Sequence, residues 1–352
     1  MTALLDAVDP IARLAAALAA PRFWLVIACT AAATALARRW APRLGLVDGR
    51  AGPQAARKLQ EAPVPTVGGC ALALGLVVAG AQAWSAPAGW LGGAQPAAAT
   101  GAALFGVFLV GLWDDRRRAG LPPLAKLVLS AVALAPLGWG AWAVADEGAV
   151  AGALLTVLVA LCALHVVNTF DNADGAVVVV GALGLVLASP LAAAALLGFA
   201  PFNLDAGRGD EDAGRRAPSA YLGDSGAFLV ALLLVLHPCA WGALWIPALD
   251  LARLCVVRTR AGQAPWVGDR RHLAHRLQAR GWSARAVAAA LGTLALPGIL
   301  GTATFVRARA SALAAGRSGA DGMGFLIAGA AVGLALYLCA LRLAPPAARA
   351  AT

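Results

Sequence analysis

The stretch LHVVNTFDNADGAVVVV, residues 164–180, sets two aspartates, Asp171 and Asp174, and two asparagines, Asn168 and Asn172, inside an otherwise apolar run. Other acidic residues share that setting. GLWDDRRR carries Asp114 and Asp115, YLGDSGAFLV carries Asp224 and ALDLARL carries Asp250, each beside an apolar segment. The loop RTRAGQAPWVGDRRHLAHRL adds Asp269, Arg271, His272 and His275. A carboxylate at membrane depth is costly, so it faces a polar cavity and has a task there. Several on one face, ringed by Arg and Lys, collect a hard divalent cation and a polyanion together. Mg²⁺ takes one or two carboxylates and completes its shell with water and phosphate oxygens. Basic side chains hold the rest of the phosphate charge. Each site also has a plain reading. A lone DD before three arginines is a solvated loop, and GDSG is a turn whose Asp224 suits a helix N-terminus. The combination, in this order, points to chemistry.

The elements that must position these residues follow from composition. Of 352 residues, 61% are hydrophobic and only 13% charged, against roughly 45–50% and about 25% in soluble domains. Stretches such as FWLVIACTAAATALA and GFLIAGAAVGLALYLCALRLA approach the roughly 20 residues of a membrane helix. The fold class is therefore all-α, a polytopic integral membrane protein read as one domain over 1–352. The 40 glycines point to close packing through small residues, and the six cysteines, in or beside apolar segments without ligand spacing, to small core hydrophobes. The N-terminus lacks a basic n-region and reads as a short amphipathic lead-in rather than a cleavable signal.

The net charge of +10 is concentrated in 38–58, 116–118, 208–216 and 253–285, which the positive-inside rule assigns to the cytoplasm. Spans are then expected near 21–39, 66–86, 97–113, 122–144, 149–169, 284–304 and 322–343, with 176–203 and 226–257 each going out and back. That makes about eleven (10–11) crossings, N-terminus outside and C-terminus inside. Arg307, Arg309 and Arg317 fall outside, against the rule. The two paired regions leave about 13–16 residues per crossing, short of the usual range of roughly 17–25; turns are expected at 188–190 (ASP) and 237–239 (HPC). Every conspicuous acid then lies on the cytoplasmic side.

Six motifs, in register over roughly 40–280, resemble the polyprenyl-phosphate N-acetylhexosamine-1-phosphate transferase family. They are RKLQEAPVPTVGG (57–69), GLWDDRR followed by Lys126, NTFDNADG, LGFAPFN leading to YLGDSG, IPALDLARL, and DRRHLAH. The PVPTVGG form is more similar to the branch that uses simple UDP-N-acetylhexosamines, UDP-GlcNAc foremost. The resemblance implies transfer of N-acetylhexosamine-1-phosphate to a polyprenyl phosphate such as undecaprenyl phosphate, with release of UMP, in cell-wall or surface-polysaccharide synthesis. It implies a multi-pass protein of the bacterial inner membrane with a cytoplasmic active site, and Mg²⁺ (or Mn²⁺) as cofactor. Partners are the UDP-sugar, the lipid and the bilayer, with no nucleic acid; the family includes homodimers.

By the same resemblance, Asp224 is a metal ligand, with Asp171. Asp114 deprotonates or orients the lipid phosphate with Asp115 beside it, and Lys126 and His272 complete the catalytic set. Lys58, Asn168, Asp171, Asn172, Asp174, His275 and Arg271 bind substrate. Asp171 and Asp174, three apart, share a face if the helix continues through them. Direct attack by the lipid phosphate and a two-step route through an aspartyl intermediate both stay open. So do two rival readings, an ion-coupled transporter and a catalytically altered lipid- or nucleotide-binding scaffold. Four departures from the family pattern stand out: Gln60 in place of a histidine, Ala274 inside the three-histidine signature, Ser130 in place of a glutamine, and the inserted cytoplasmic loop segment DAGRGDEDAGRR (205–216).

Overall fold

The structure, a computed structural model, describes residues 10–48, 63–85, 96–117, 119–143, 149–204, 218–265, 268, 270–317, 320 and 322–344. Lys58, Gln60, Asp269 and the 205–216 segment lie outside the described residues. The described chain is almost wholly helical. Its helices are α1 (Pro10–Ala19), α2 (Pro21–Leu44), α3 (Gly68–Ala79), α4 (Ala97–Arg116), α5 (Pro123–Ala133), α6 (Ala135–Ala143) and α7 (Ala149–Phe170). They continue with α8 (Ala176–Val186), α9 (Pro190–Leu204), α10 (Gly223–Leu236), α11 (Trp245–Arg260), α12 (Leu273–Gln278), α13 (Ala284–Ala314) and α14 (Met323–Leu343). Two short strands, β1 (Val47–Asp48) and β2 (Val64–Pro65), pair antiparallel, Val47 opposite Pro65.

Local chemistry fixes many of the ends. Pro21 and Pro123 open α2 and α5, where a missing N–H costs nothing. The Ser283 side chain caps α13 by accepting from the Ala286 N–H. Pro136 interrupts the span at 123–143, which divides into α5 and α6, because its ring displaces the carbonyl one turn back.

Six helices are long and apolar enough to cross a membrane, or seven if the bent pair α1–α2, with its 72° turn, counts as one span. Five of the six, and the bent pair, lie on segments expected to cross singly; the sixth, Pro238–Arg260, covers the second half of the expected 226–257 pair, and the expected span at 66–86 holds only the 12-residue α3. Four shorter apolar helices are α3, α8, α9 and α10, and the breaks around them fall at Ser189-Pro190 and His237-Pro238 as expected. At 11 residues, α8 is only about 16 Å long against a hydrocarbon core of about 30 Å. Short helices are tolerable here because they lie inside the protein: every residue of α10 from Ser225 to Leu236 is buried. The long helices surround them and turn Leu154, Leu158, Trp139 and Ile327 outward, an apolar surface that only lipid solvates well.

Small residues carry the helix contacts, as composition suggested. A methyl group on Gly242 would lie 2.0 Å from the Gly298 carbonyl oxygen, and one on Gly329 2.4 Å from that of Pro297. Helix α13, at 31 residues, reaches about 46 Å and overshoots the hydrocarbon thickness. Arg307 and Arg309 sit near its far end, so the helix carries them past the hydrocarbon rather than leaving them in it.

Candidate active site

Helix α4 sets the geometry. Gly111 lets it touch the start of α10, since a methyl there would be 2.4 Å from the Ser225 backbone. One turn later on the same face, Asp115 reaches that helix end. Its Oδ1 accepts from the Asp224 N–H (2.8 Å), and its Oδ2 from the Ser225 N–H (3.1 Å) and hydroxyl (2.6 Å). Gly223 begins α10 at φ 74°, and a side chain there would collide with the Asp115 carboxylate. Asp115 is thus the N-terminal cap of α10, supplied from another helix. Its role is to position Asp224.

Asp224 and Asp114 meet over Lys126. The ammonium donates to Asp224 Oδ2 and lies 3.3 Å from Asp114 Oδ1. Asn168 Nδ2 donates to the same Asp224 oxygen at 3.3 Å, and Asp114 Oδ1 also accepts from the Leu121 N–H at 2.8 Å. Lys126 stands in the first turn of α5, its N–H bonded to the Pro122 carbonyl, where the LPP sequence places it.

Helix α7 ends at Phe170, and 171–175 is a turn closed by Gly175 at φ 80°. Asp171 and Asp174 therefore do not share a helical face; both instead project from the turn into one cavity. The turn is held by Asn203, which accepts from the Gly175 N–H (2.8 Å) and donates to the Ala220 carbonyl (3.1 Å). Asn172 donates to Thr169 O at 2.9 Å, and its own buried carbonyl oxygen has no partner. Neither Asp171 nor Asp174 has an ion pair or side-chain hydrogen bond among the described residues. Burial raises the Asp171 carboxyl to about 8, with Asp174 and Asp115 adding to it, and burial alone raises Asp174 to about 7.

Asp114, Asp115, Asp171, Asn172, Asp174, Asn203 and Asp224 line a cavity of about 670 Å³ with Asp48, Thr66, Tyr221, Arg116 and Arg117 at its wall and rim, while Lys126 and Asn168 reach Asp224 from outside that lining. Asn203, Thr66, Tyr221 and Asp48 had not been singled out. Asn203 closes LGFAPFN and Tyr221 opens YLGDSG, so position offered a signal. Thr66 joins through a backbone bridge to Tyr221, with Gly68 and Gly69 N–H bonding to the Tyr221 and Leu222 carbonyls. That pairing links PVPTVGG to YLGDSG across the chain.

The histidines belong to a second cluster. Asp250 Oδ2 holds His272 Nδ1 at 2.9 Å, while its Oδ1 accepts from Tyr337 (2.8 Å), Arg253 (2.9 Å) and the Leu273 N–H (3.3 Å). Arg253 also donates to the Arg271 carbonyl at 2.6 Å, and the Arg271 side chain donates to Gln263. His275 lies with its ring 6.0 Å from that of His272 and bonds Gln278; burial holds its imidazole below the ordinary range. None of His272, His275 and Arg271 lines the acidic cavity. The two clusters stand on the same face: Arg285 donates to the Leu204 carbonyl, and Ala288 packs against Gly175. Ser130 is buried with its hydroxyl unpartnered.

No three His, Cys, Asp or Glu side chains among the described residues converge to hold a metal ion on their own. The donors nonetheless suit a cation that a diphosphate shares. Among the described residues Asp224 Oδ1, Asp171 and Asp174 have no partner, and Mg²⁺ needs only one or two carboxylates when phosphate and water supply the rest.

A polytopic all-α membrane protein with an acid-lined polar cavity at one face of its helix bundle is the class that this architecture defines. No family model matches the sequence. A Streptomyces coelicolor protein provisionally named a glycosyltransferase is 30% identical over 336 residues, covering 84% of this chain and 73% of the relative. Decaprenyl-phosphate N-acetylglucosaminephosphotransferases of Mycobacterium tuberculosis (29% over 325 residues) and Mycolicibacterium smegmatis (27% over 321) each match 72% of this chain and 74% of their own. The chain belongs to the polyprenyl-phosphate N-acetylhexosamine-1-phosphate transferase family.

Proposed function

We propose that this protein transfers N-acetylhexosamine-1-phosphate, GlcNAc-1-phosphate foremost, from a UDP-sugar to a polyprenyl phosphate and releases UMP. The reaction begins cell-wall or surface-glycan synthesis at the cytoplasmic face of a bacterial inner membrane. The observation that carries this reading is the convergence of Asp114, Asp171, Asp174 and Asp224 on one cavity, with Lys126 bridging Asp114 and Asp224 at its wall. Family membership and the names of the mycobacterial relatives support the same activity.

Phosphoryl transfer demands alignment and charge neutralisation more than covalent chemistry. A lipid phosphate oxygen attacks the β-phosphorus of the UDP-sugar, the bond from β-phosphorus to the bridging oxygen breaks, and UMP leaves with that oxygen. Lys126 brings positive charge to the place where the two anions meet. Asp114, beside it, orients the lipid phosphate and takes its proton. Asn168, Asp171, Asn172 and Asp174 bind at the nucleotide side, and Arg116 and Arg117 at the rim draw in both anions. Lys58, from the first loop, adds a phosphate contact. Asp224 and Asp171 would hold Mg²⁺, which would supply charge neutralisation for the diphosphate and the leaving group. His272, its Nδ1 fixed by Asp250, presents Nε2 to phosphate or sugar, with His275 and Arg271 alongside.

The test offers purified protein polyprenyl phosphate, Mg²⁺ and a panel of labelled UDP-N-acetylhexosamines. Lipid-linked label together with released UMP, both lost in Asp224→Asn, is the expected result. Folded protein that transfers none of the sugars overturns the reading.

A further inference from the structure

The motifs that carry the family resemblance end near residue 280, and α14 lies beyond them. Most of this helix faces outward. Its buried residues are Gly329, Gly333 and Tyr337, a stripe at four-residue spacing along one face. The two glycines set how closely it packs. A methyl on Gly329 would lie 2.4 Å from the Pro297 carbonyl oxygen, and one on Gly333 3.1 Å from the Trp245 ring. Trp245 in turn donates from Nε1 to the Ala330 carbonyl at 3.1 Å. One turn further, the stripe carries the Tyr337 hydroxyl inward, where it donates to Asp250 Oδ1 at 2.8 Å and accepts from Arg253 Nε at 2.9 Å.

The end of α14 makes a second attachment. The last carbonyls of a helix lack intrahelical partners and carry its negative dipole end. Arg276, on α12, donates from Nη2 to the Leu341 carbonyl at 2.9 Å and to the Ala344 carbonyl at 2.8 Å. Helix α12 spans only Leu273–Gln278 and is too short to hold itself, so its attachments decide where His272, directly before it, points. From α11, Asp250 holds His272 Nδ1 and the Leu273 N–H, and Arg253 holds the Arg271 carbonyl. From α14, Tyr337 fixes Asp250 and Arg253 themselves, while the helix end ties down Arg276. A carboxylate only accepts, so the His272 proton on Nδ1 points at Asp250 and Nε2 is left to face substrate.

We propose that Arg276 is a positioning residue for His272, and that α14, without touching substrate, is the brace through which it acts. The effect on rate rests on the transferase reading; the effect on the His272 ring does not. The chain has four histidines, so NMR of the full-length protein in detergent, with isotope-labelled histidine, resolves each imidazole, and His272→Gln identifies the signal of His272. In Arg276→Gln the His272 Nδ1–H should exchange with water about tenfold faster, with the His165 and His237 signals unmoved. Arg276→Lys, which keeps a cation at the helix end, should restore part of the protection. Tyr337→Phe, with Arg276 still in place, should change the signal little. In transfer assays Arg276→Gln should lower kcat about tenfold at unchanged KM. A His272 signal indifferent to Arg276→Gln, or one that moves only together with those of His165 and His237, overturns the proposal, as does an unchanged kcat. Wild-type protein that transfers no sugar while its His272 signal still answers to Arg276→Gln overturns the transferase reading alone and supports the brace.

Discussion

Asp171 and Asp250 are both carboxylates at the same face of the bundle, and the protein treats them in opposite ways. Asp250 accepts from an arginine, a histidine, a tyrosine and a backbone N–H. Asp171, and Asp174 three residues away, accept from none of the described residues. A satisfied buried carboxylate holds structure together, whereas an unsatisfied pair raises the energy of the resting protein until something cationic arrives. The difference separates residues that build the site from residues that await a ligand.

The largest effect expected from this contrast is on turnover. Asp224→Asn and Asp171→Asn should each lower transfer by about 10²- to 10³-fold, yet Asp171→Asn should leave thermal stability unchanged or raised. A clear loss of stability in Asp171→Asn would erase the distinction from Asp250. Next in size is Asp250→Ala, which strands Arg253 and His272. It should cost about 3–5 kcal/mol of stability in detergent unfolding, and lower activity only through that loss of order.

A smaller effect is expected with pH. The Asp171 and Asp174 carboxyls lie well above their ordinary value, at about 8 and about 7. They keep protons in the folded protein that the unfolded chain has already released. Folding is therefore favoured at low pH, and stability falls as pH rises from about 4 through about 8. Mg²⁺ should restore it at the upper end, and the Asp171→Asn/Asp174→Asn double variant should show neither the slope nor the rescue in thermal scans. Smallest is Tyr337→Phe, which removes one of several bonds to Asp250 and should cost about 1 kcal/mol with activity nearly unchanged.

Much of the site was legible because charge inside an apolar sequence is conspicuous. Asp114, Asp115, Asp171, Asp174 and Asp224 each stand out against their neighbours, and the order of motifs named the family. The sequence does not show which acids are already occupied. Asp115 looks equivalent to Asp114 until the crossing at Gly111 turns it into a cap for α10. Tyr337 lies 87 residues from Asp250, so its part in the histidine cluster is invisible to spacing. The end of α7 at Phe170 was legible, within a residue of the expected span 149–169, but that 171–175 forms a turn closed by Gly175, so that Asp171 and Asp174 do not share a helical face, was not. The fold was legible in its long helices and in the breaks at 188–190 and 237–239. That the short helices occupy the interior follows from tertiary packing, and hydropathy treats buried and lipid-facing helices alike.

Asn203 has one more consequence, for how the family diversifies. The Phe202 carbonyl accepts from the Ala220 N–H and the Ser219 hydroxyl, both at 3.1 Å, while Asn203 holds Ala220 from the other side. Phe202, Asn203, Ser219 and Ala220 thus form a single clamp, which fixes two points of the chain whatever joins them. Doubling the length of such a loop costs only about 0.6 kcal/mol in closure entropy. A reporter fused between those two points is therefore expected to leave Asp171, Asp174 and Asp224 in place, with unchanged transfer activity as the check.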